Sequence, residues 1–329
     1  MVCNKKIFVQ NEFATLKKVV LAASEYGYPL EVRSDDLRFL DDSAIEDSNL
    51  NRGKDFSEAH PEIQRQWEME RSNFRRKLEE HGIEVVEVRK LSEAEKNFNP
   101  NDGYSNFFSR DPFFVIGNYV VEAGMRFLHR RHEIWPLRDL LWEALEDADC
   151  TYVAAPFPQL ADAGDLSLGK GPFIEGGDVL VLDSHVLVGN SGLASNDRGF
   201  QWLSKLISPL GYTVEQVRLH PKILHLDCAL GLVKHNLMLV CEEAFLDGIP
   251  EILKEWTSIQ VTLDEASDLA TNGLPLSSEL YITDPAFKHI GDQIEQHGVE
   301  VCYLDFKITR SFGGSFRCST QPLLRYDRI

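Results

Sequence analysis

The chain has no CxxC pair. None of its six cysteines, Cys3, Cys150, Cys228, Cys241, Cys302 and Cys318, stands with histidine at zinc-finger spacing. That leaves no structural zinc motif and no paired-thiol motif to argue from. Positive charge is also scarce: 34 Lys and Arg face 52 Asp and Glu, a formal net charge of -18. Nucleic acids and anionic membranes attract a positive footprint, so neither is an expected partner, whereas a small cationic substrate is compatible. Long apolar runs are missing, the stretch Phe113-Phe114-Val115-Ile116 being among the longest. A membrane helix needs about 20 apolar residues. The opening Met1-Val2-Cys3-Asn4-Lys5-Lys6 leads to only a short apolar stretch and does not read as a secretory signal. A cytoplasmic protein with free thiols is the expectation. No Pro/Gly/Ser-rich linker divides the 329 residues, so residues 1–329 read as one domain, long enough for a substantial core.

What the chain does have is a repeat. Apolar residues recur at three- and four-residue spacing in residues 61–81, 126–146, 198–210, 242–255 and 285–297, which predicts five amphipathic helices. Each is followed almost at once by a short segment with strand character, beginning at Ile83, Cys150, Tyr212, Trp256 and Val299. Pairs of strands precede the helices, as in residues 113–122, 179–188 and 228–241, with Gly117-Asn118 and Asp183-Ser184 at the turns. Residues 274–283 form a weaker pair, and residues 16–23 supply a first strand without an evident partner. Five units of strand, strand, helix, strand are expected, closing as a five-fold pseudosymmetric α/β propeller. The acidic stretch 33–55 and residues 97–106 read as loops over one face.

Unusual polar groups fall at corresponding points of these units. They are Ser109-Arg110-Asp111-Pro112, Glu175-Gly176-Gly177-Asp178, His225-Leu226-Asp227, and the terminal Gly313-Gly314-Ser315-Phe316-Arg317-Cys318-Ser319-Thr320. On a strand, His225 and Asp227 would share a face while Leu224, Leu226 and Cys228 pack away from it. Glycines before Cys318 allow a loop whose N–H groups stabilise negative charge near the sulfur. Taken singly, each feature has a bland structural explanation, an acidic turn or a small buried thiol. Together, carboxylates suit a planar guanidinium, and a thiolate can attack its central carbon once a proton can reach the leaving nitrogen.

At these residues the chain resembles the guanidino-group-modifying enzymes of the pentein fold. That group includes arginine:glycine and inosamine-phosphate amidinotransferases, arginine deiminases and dimethylarginine hydrolases. The resemblance runs from Asn11-Glu12-Phe13-Ala14-Thr15-Leu16 to Cys318. It implies Cys318 as nucleophile, His225 as general acid and base, and Glu175 or Asp178 as the acid orienting His225. It further implies Asp111 and Asp227 as the grip on the guanidinium, Thr320 lining the substrate site, and no metal or organic cofactor. The opening segment, Asn190–Asn196 and Cys318-Ser319-Thr320 look like amidinotransferases, and the inserted helical domain of typical arginine deiminases is lacking. Glu175-Gly176-Gly177-Asp178 is the hydrolase form of its motif. Leu193 or Ala244 stands where related enzymes carry an arginine for the substrate carboxylate. The resemblance therefore implies transfer of the amidino group of arginine to an amine. A deiminase or dihydrolase is the alternative, and a non-catalytic arginine-binding protein ranks below both. The sequence leaves a homo-oligomer open.

Overall fold

The computed structural model describes residues 6–31, 42–146, 149–159 and 168–327. Among them, five sheets share one plan, in which an antiparallel pair is extended by a parallel strand. Four follow chain order: Phe113–Ile116, Tyr119–Glu122 and Thr151–Ala154; Val179–Leu182, His185–Asn190 and Thr213–Arg218; Leu230–Lys234, Leu237–Val240 and Thr257–Gln260; and Leu274–Ser277, Leu280–Thr283 and Glu300–Tyr303. The remaining sheet joins the two ends of the chain. Leu16–Leu21 pairs antiparallel with Thr320–Arg325 and parallel with Glu84–Glu87, and Phe8–Val9 adds an outer strand. The strand partner that residues 16–23 lack locally is thus the last strand of the protein.

Composition explains which strands lie inside. Val179–Leu182 and Leu237–Val240 are apolar and buried at every position, as strands covered on both faces must be. Glu84–Glu87 and Thr151–Ala154 carry exposed residues at both ends, as outer strands do. Asp183 and Asn236 adopt left-handed backbone at hairpin turns, a conformation these short polar side chains tolerate. Apolar clusters run between sheets: Leu16 and Val19 pack with Leu274 and Ile282, Val20 and Leu323 with Phe113 and Val120, Phe114 and Val121 with Val181 and Val186, and Leu180 and Leu187 with Leu230 and Leu239.

Three expected helices form closely as read: Pro61–Glu80, Asp197–Ile207 and Lys288–Gln296. Pro61–Glu80 buries Trp67, Arg71, Phe74 and Leu78, one stripe at helical spacing. Residues 126–146 do not make one helix. A single 3-10 turn, Leu128–Arg130, precedes a helix that starts only at Trp135, with Pro136 in its first turn where a proline fits best. Residues 242–255 are no α-helix at all, but two 3-10 turns, Glu242–Ala244 and Glu251–Leu253. Gly248, at φ +79°, and Pro250 separate them. The stretch 33–55 is not wholly a loop, since Asp42–Leu50 is helical; residues 32–41 lie outside the described residues. Residues 97–106 end in the strand Tyr104–Asn106, paired with Glu25–Gly27. Among the described residues no helix is long and apolar enough to cross a membrane.

Candidate active site

The segments that carry the candidate residues all sit just before a strand that joins an antiparallel pair. Gly176–Asp178 is a 3-10 turn leading into Val179, and Leu226–Cys228 is another leading toward Leu230. Asp111 precedes Phe113 and Cys318 precedes Thr320 by two residues each. Equivalent placement brings three of these segments to one open pocket. Asp111, His225 and Cys318 line it, with Arg130, His129, Leu224 and Gly313; Phe107, Phe108, Phe127 and Phe312 form its aromatic walls.

His225 is almost fully buried. Its Nε2 lies 2.8 Å from Glu175 Oε2, and its Nδ1 lies 3.8 Å from Asp111 Oδ1. Burial works against the imidazolium, but the charge of Asp111 and the hydrogen bond to Glu175 outweigh it and lift the pKa to about 10. Glu175 also accepts the backbone N–H of Arg126 at 2.8 Å. Asp178 is placed differently. Its two oxygens accept the backbone N–H groups of Ser195, at 3.1 Å, and Leu226, at 2.9 Å. Of the two acids left open by the sequence, Glu175 is therefore the one hydrogen-bonded to the ring, while Asp178 pins the turn that carries it. Burial raises the Asp178 carboxyl to about 7.

Asp111 is already engaged. Oδ2 accepts from Arg130 Nη2 at 2.8 Å, and Oδ1 accepts the N–H of Gly177 at 2.9 Å. Arg130 is clamped further by Glu133, through Nε at 2.9 Å and Nη2 at 2.8 Å. Asp227 is not among the residues lining the cavity. Its Oδ2 accepts from Arg317 Nη1 at 2.7 Å, and Arg317 Nε donates to Glu12 at 3.1 Å. The Cys318 sulfur lies 3.6 Å from Asp227 Oδ2, and the Cys228 sulfur 3.6 Å from Oδ1. Burial, then the charges of Asp227 and Asp111, push the Cys318 thiol well above its ordinary range. Burial and the two carboxylates thus hold the thiol protonated, and a cation beside Asp111 would favour the thiolate.

Several expectations are corrected. His225 and Asp227 are not on a strand: His225 caps a 3-10 turn, which lets Leu224 line the cavity and brings the Cys228 thiol to Asp227. Four N–H groups of the cysteine loop are spent away from the sulfur. Ser315 N and Cys318 N donate to Asn272 Oδ1, Arg317 N to the Asn272 carbonyl, and Ser319 N to Ser315 O. Thr320 is not among the lining residues; its hydroxyl donates back to the Phe316 carbonyl at 2.9 Å, closing the turn before the last strand. Cys150, Cys241 and Cys302 are free thiols away from the cavity, and Cys3 lies outside the described residues. Sequence reasoning missed Arg130, Glu133, Arg317 and Asn272. For Asn272 a signal existed, since it occupies the fifth repeat's place, just before Leu274. Among the described residues no group of three or more His, Cys, Asp and Glu side chains could hold a metal ion.

The family model of eukaryotic N,N-dimethylarginine dimethylhydrolases matches residues 38–325. An uncharacterized protein of Bacillus subtilis, YkgA, is 26% identical over 97% of this chain and 96% of its own. A putative inosamine-phosphate amidinotransferase of Streptomyces griseus is 28% identical over 68% of this chain and 69% of its own. The solved structure of an inosamine-phosphate amidinotransferase from Streptomyces griseus superposes with a TM-score of 0.81 at 21% identity, over 98% of both chains.

Proposed function

Since the chain belongs to the N,N-dimethylarginine dimethylhydrolase family, and with it to the guanidino-group-modifying pentein superfamily, we propose that it is an amidinotransferase acting on arginine and an amine. The observation that carries this reading is the meeting of Cys318, His225 with its Glu175 partner, and Asp111 on one cavity. Likeness to amidinotransferases in both sequence and fold favours transfer over hydrolysis. We also read the five sheets as a closed ring, a reading supported by the apolar clusters that link each sheet to its neighbours.

In this mechanism the guanidinium enters beside Asp111, and its charge lowers the Cys318 pKa so that the thiol releases its proton to solvent, to be regained from solvent when the product leaves. The thiolate attacks the guanidinium carbon, forming the S–C bond. The C–N bond to ornithine then breaks, and His225 gives its proton to the departing nitrogen. An amine acceptor attacks the amidino carbon and returns a proton to His225, and the sulfur leaves. Glu175 orients the imidazole throughout. Asp227, tied to Arg317, fixes the electrostatics at the sulfur rather than gripping substrate.

A hydrolase remains the second reading, favoured by two observations: Glu175 is the acid on His225, and the matching family model is that of a hydrolase. The two readings differ in what reaches the amidino carbon second. With arginine alone, we expect ornithine limited to about one equivalent per site, the burst of ping-pong chemistry. The right amine then restores turnover and yields a new guanidino compound. Steady ammonia and citrulline from arginine alone, at a rate no amine improves, assigns the hydrolase instead.

A further inference from the structure

We propose that Asn272 is a positioning residue for the nucleophile, fixing Cys318 against the turn that carries His225 and Asp227. This deepens the guanidino-group reading of the cavity and rests on it. Asn272 is fully buried. Its Oδ1 accepts two backbone N–H groups of the cysteine loop, Ser315 at 3.0 Å and Cys318 at 3.1 Å. Its main-chain carbonyl accepts a third, Arg317 at 3.2 Å. On the other side, Nδ2 lies 3.5 Å from the Asp227 carbonyl, which also accepts the Thr271 hydroxyl at 2.9 Å. Each polar atom of this side chain is thus spent on joining two segments, residues 315–318 and the turn at residues 226–228.

The chemistry of the joint restricts the residue. The loop needs an acceptor for two buried N–H groups, and the Asp227 carbonyl faces a donor. A side-chain amide offers both, from two separate atoms of one short planar group, and a glutamine is one methylene too long for the same place. The acceptor must also be neutral. The Cys318 thiol already faces Asp227 at 3.6 Å and the charge of Asp111. A third carboxylate here would push the thiolate further out of reach. Because the Cys318 N–H is held by Asn272, the sulfur's direction is set by this side chain and not by the glycines before it.

The test uses Asn272→Ala and Asn272→Asp, read by iodoacetamide alkylation of Cys318 across pH, by kcat and KM for arginine, and by thermal melting. Alkylation needs no substrate, so it tests the positioning even where the wild-type protein fails to turn over guanidino compounds and the functional reading falls. We expect Asn272→Ala to lower kcat on the order of 100-fold with KM little changed, as displacement of a reacting atom does. Asn272→Asp keeps the two loop hydrogen bonds but sets a buried carboxylate oxygen against the Asp227 carbonyl, so it too melts below wild type. Its alkylation profile moves to higher pH, because the added charge disfavours the thiolate, an effect that loss of structure alone does not produce. Should Asn272→Ala fail to fold, the aspartate variant carries the test. A folded Asn272→Ala with wild-type kcat and alkylation, or an Asn272→Asp profile that does not move, overturns the proposal.

Discussion

At the scale of single residues, the site depends on which carboxylate reaches the imidazole. Glu175 is hydrogen-bonded to His225 Nε2, whereas Asp178 spends both oxygens on backbone N–H groups. The sign of the pH effect follows from the raised pKa of about 10 on His225. The imidazolium is present below that value and is lost as pH rises through it. If His225 protonates the leaving nitrogen, activity falls on the alkaline side near pH 10. Glu175→Gln removes a partner that favours the charged ring, so this alkaline limb moves to lower pH and kcat drops. Asp178→Asn moves the limb less, because Asp178 acts on the ring through its charge alone and Glu175 through a hydrogen bond as well, and it lowers the melting temperature, because an amide can present only one oxygen to two N–H donors. Measured kcat profiles decide: a larger displacement in Asp178→Asn than in Glu175→Gln would reverse the assignment.

At the scale of elements, the turn Gly176–Asp178 works by being thin. A Cβ on Gly177 would stand 2.6 Å from Asp111 Oδ1 and 2.7 Å from His225 Nδ1. Gly177→Ala therefore forces two buried, charged groups apart. We expect a loss of activity on the order of 100-fold, since reacting groups moved by an ångström lose about that much. Full activity in this variant would mean that the Asp111–His225 approach is not needed. How much was readable beforehand differs from element to element. The hairpins and the strands after the helices follow local patterns of two, so their existence was legible. The supposed helix 242–255 was not, because apolar spacing alone cannot tell a helix from two packed turns. Ala244, Phe245 and Leu253 are buried in both cases, yet Gly248 and Pro250 stood in the sequence as a warning. In the site, Cys318, His225 and Glu175 were legible by chemical type. Arg130 and Arg317 were not, because an internal guanidinium that occupies a carboxylate looks, in sequence, like any surface arginine.

At the scale of the whole molecule, the two ends of the chain complete one sheet. Thr320–Arg325 lies between Phe8–Val9 and Leu16–Leu21, so its backbone groups are used on both edges. Arg325 adds to this. It is buried, its Nη1 donates to the carbonyls of Glu12 at 2.6 Å and Ala14 at 3.0 Å, and its Nη2 donates to Pro275 at 2.8 Å, which belongs to a different sheet. The last strand is thus a central strand held by contacts about 300 residues apart in sequence, and Cys318 sits two residues before it. The position of the nucleophile then depends on this closure as much as on its own loop. A chain ending at Ser319 keeps Cys318, His225, Glu175 and Asp111 but loses the strand. We expect it to show no cooperative melt and no activity, since an unpaired edge on both Leu16–Leu21 and Phe8–Val9 cannot be offset locally. Arg325→Met is the finer probe, because it preserves bulk and removes three hydrogen bonds. Leaving buried carbonyls without partners costs about 1–3 kcal/mol each where water cannot reach them. The variant should therefore melt well below the wild-type protein while its remaining folded fraction keeps kcat. A truncated chain that melts cooperatively, or an Arg325→Met variant as stable as wild type, would show that the sheet does not depend on its C-terminal strand.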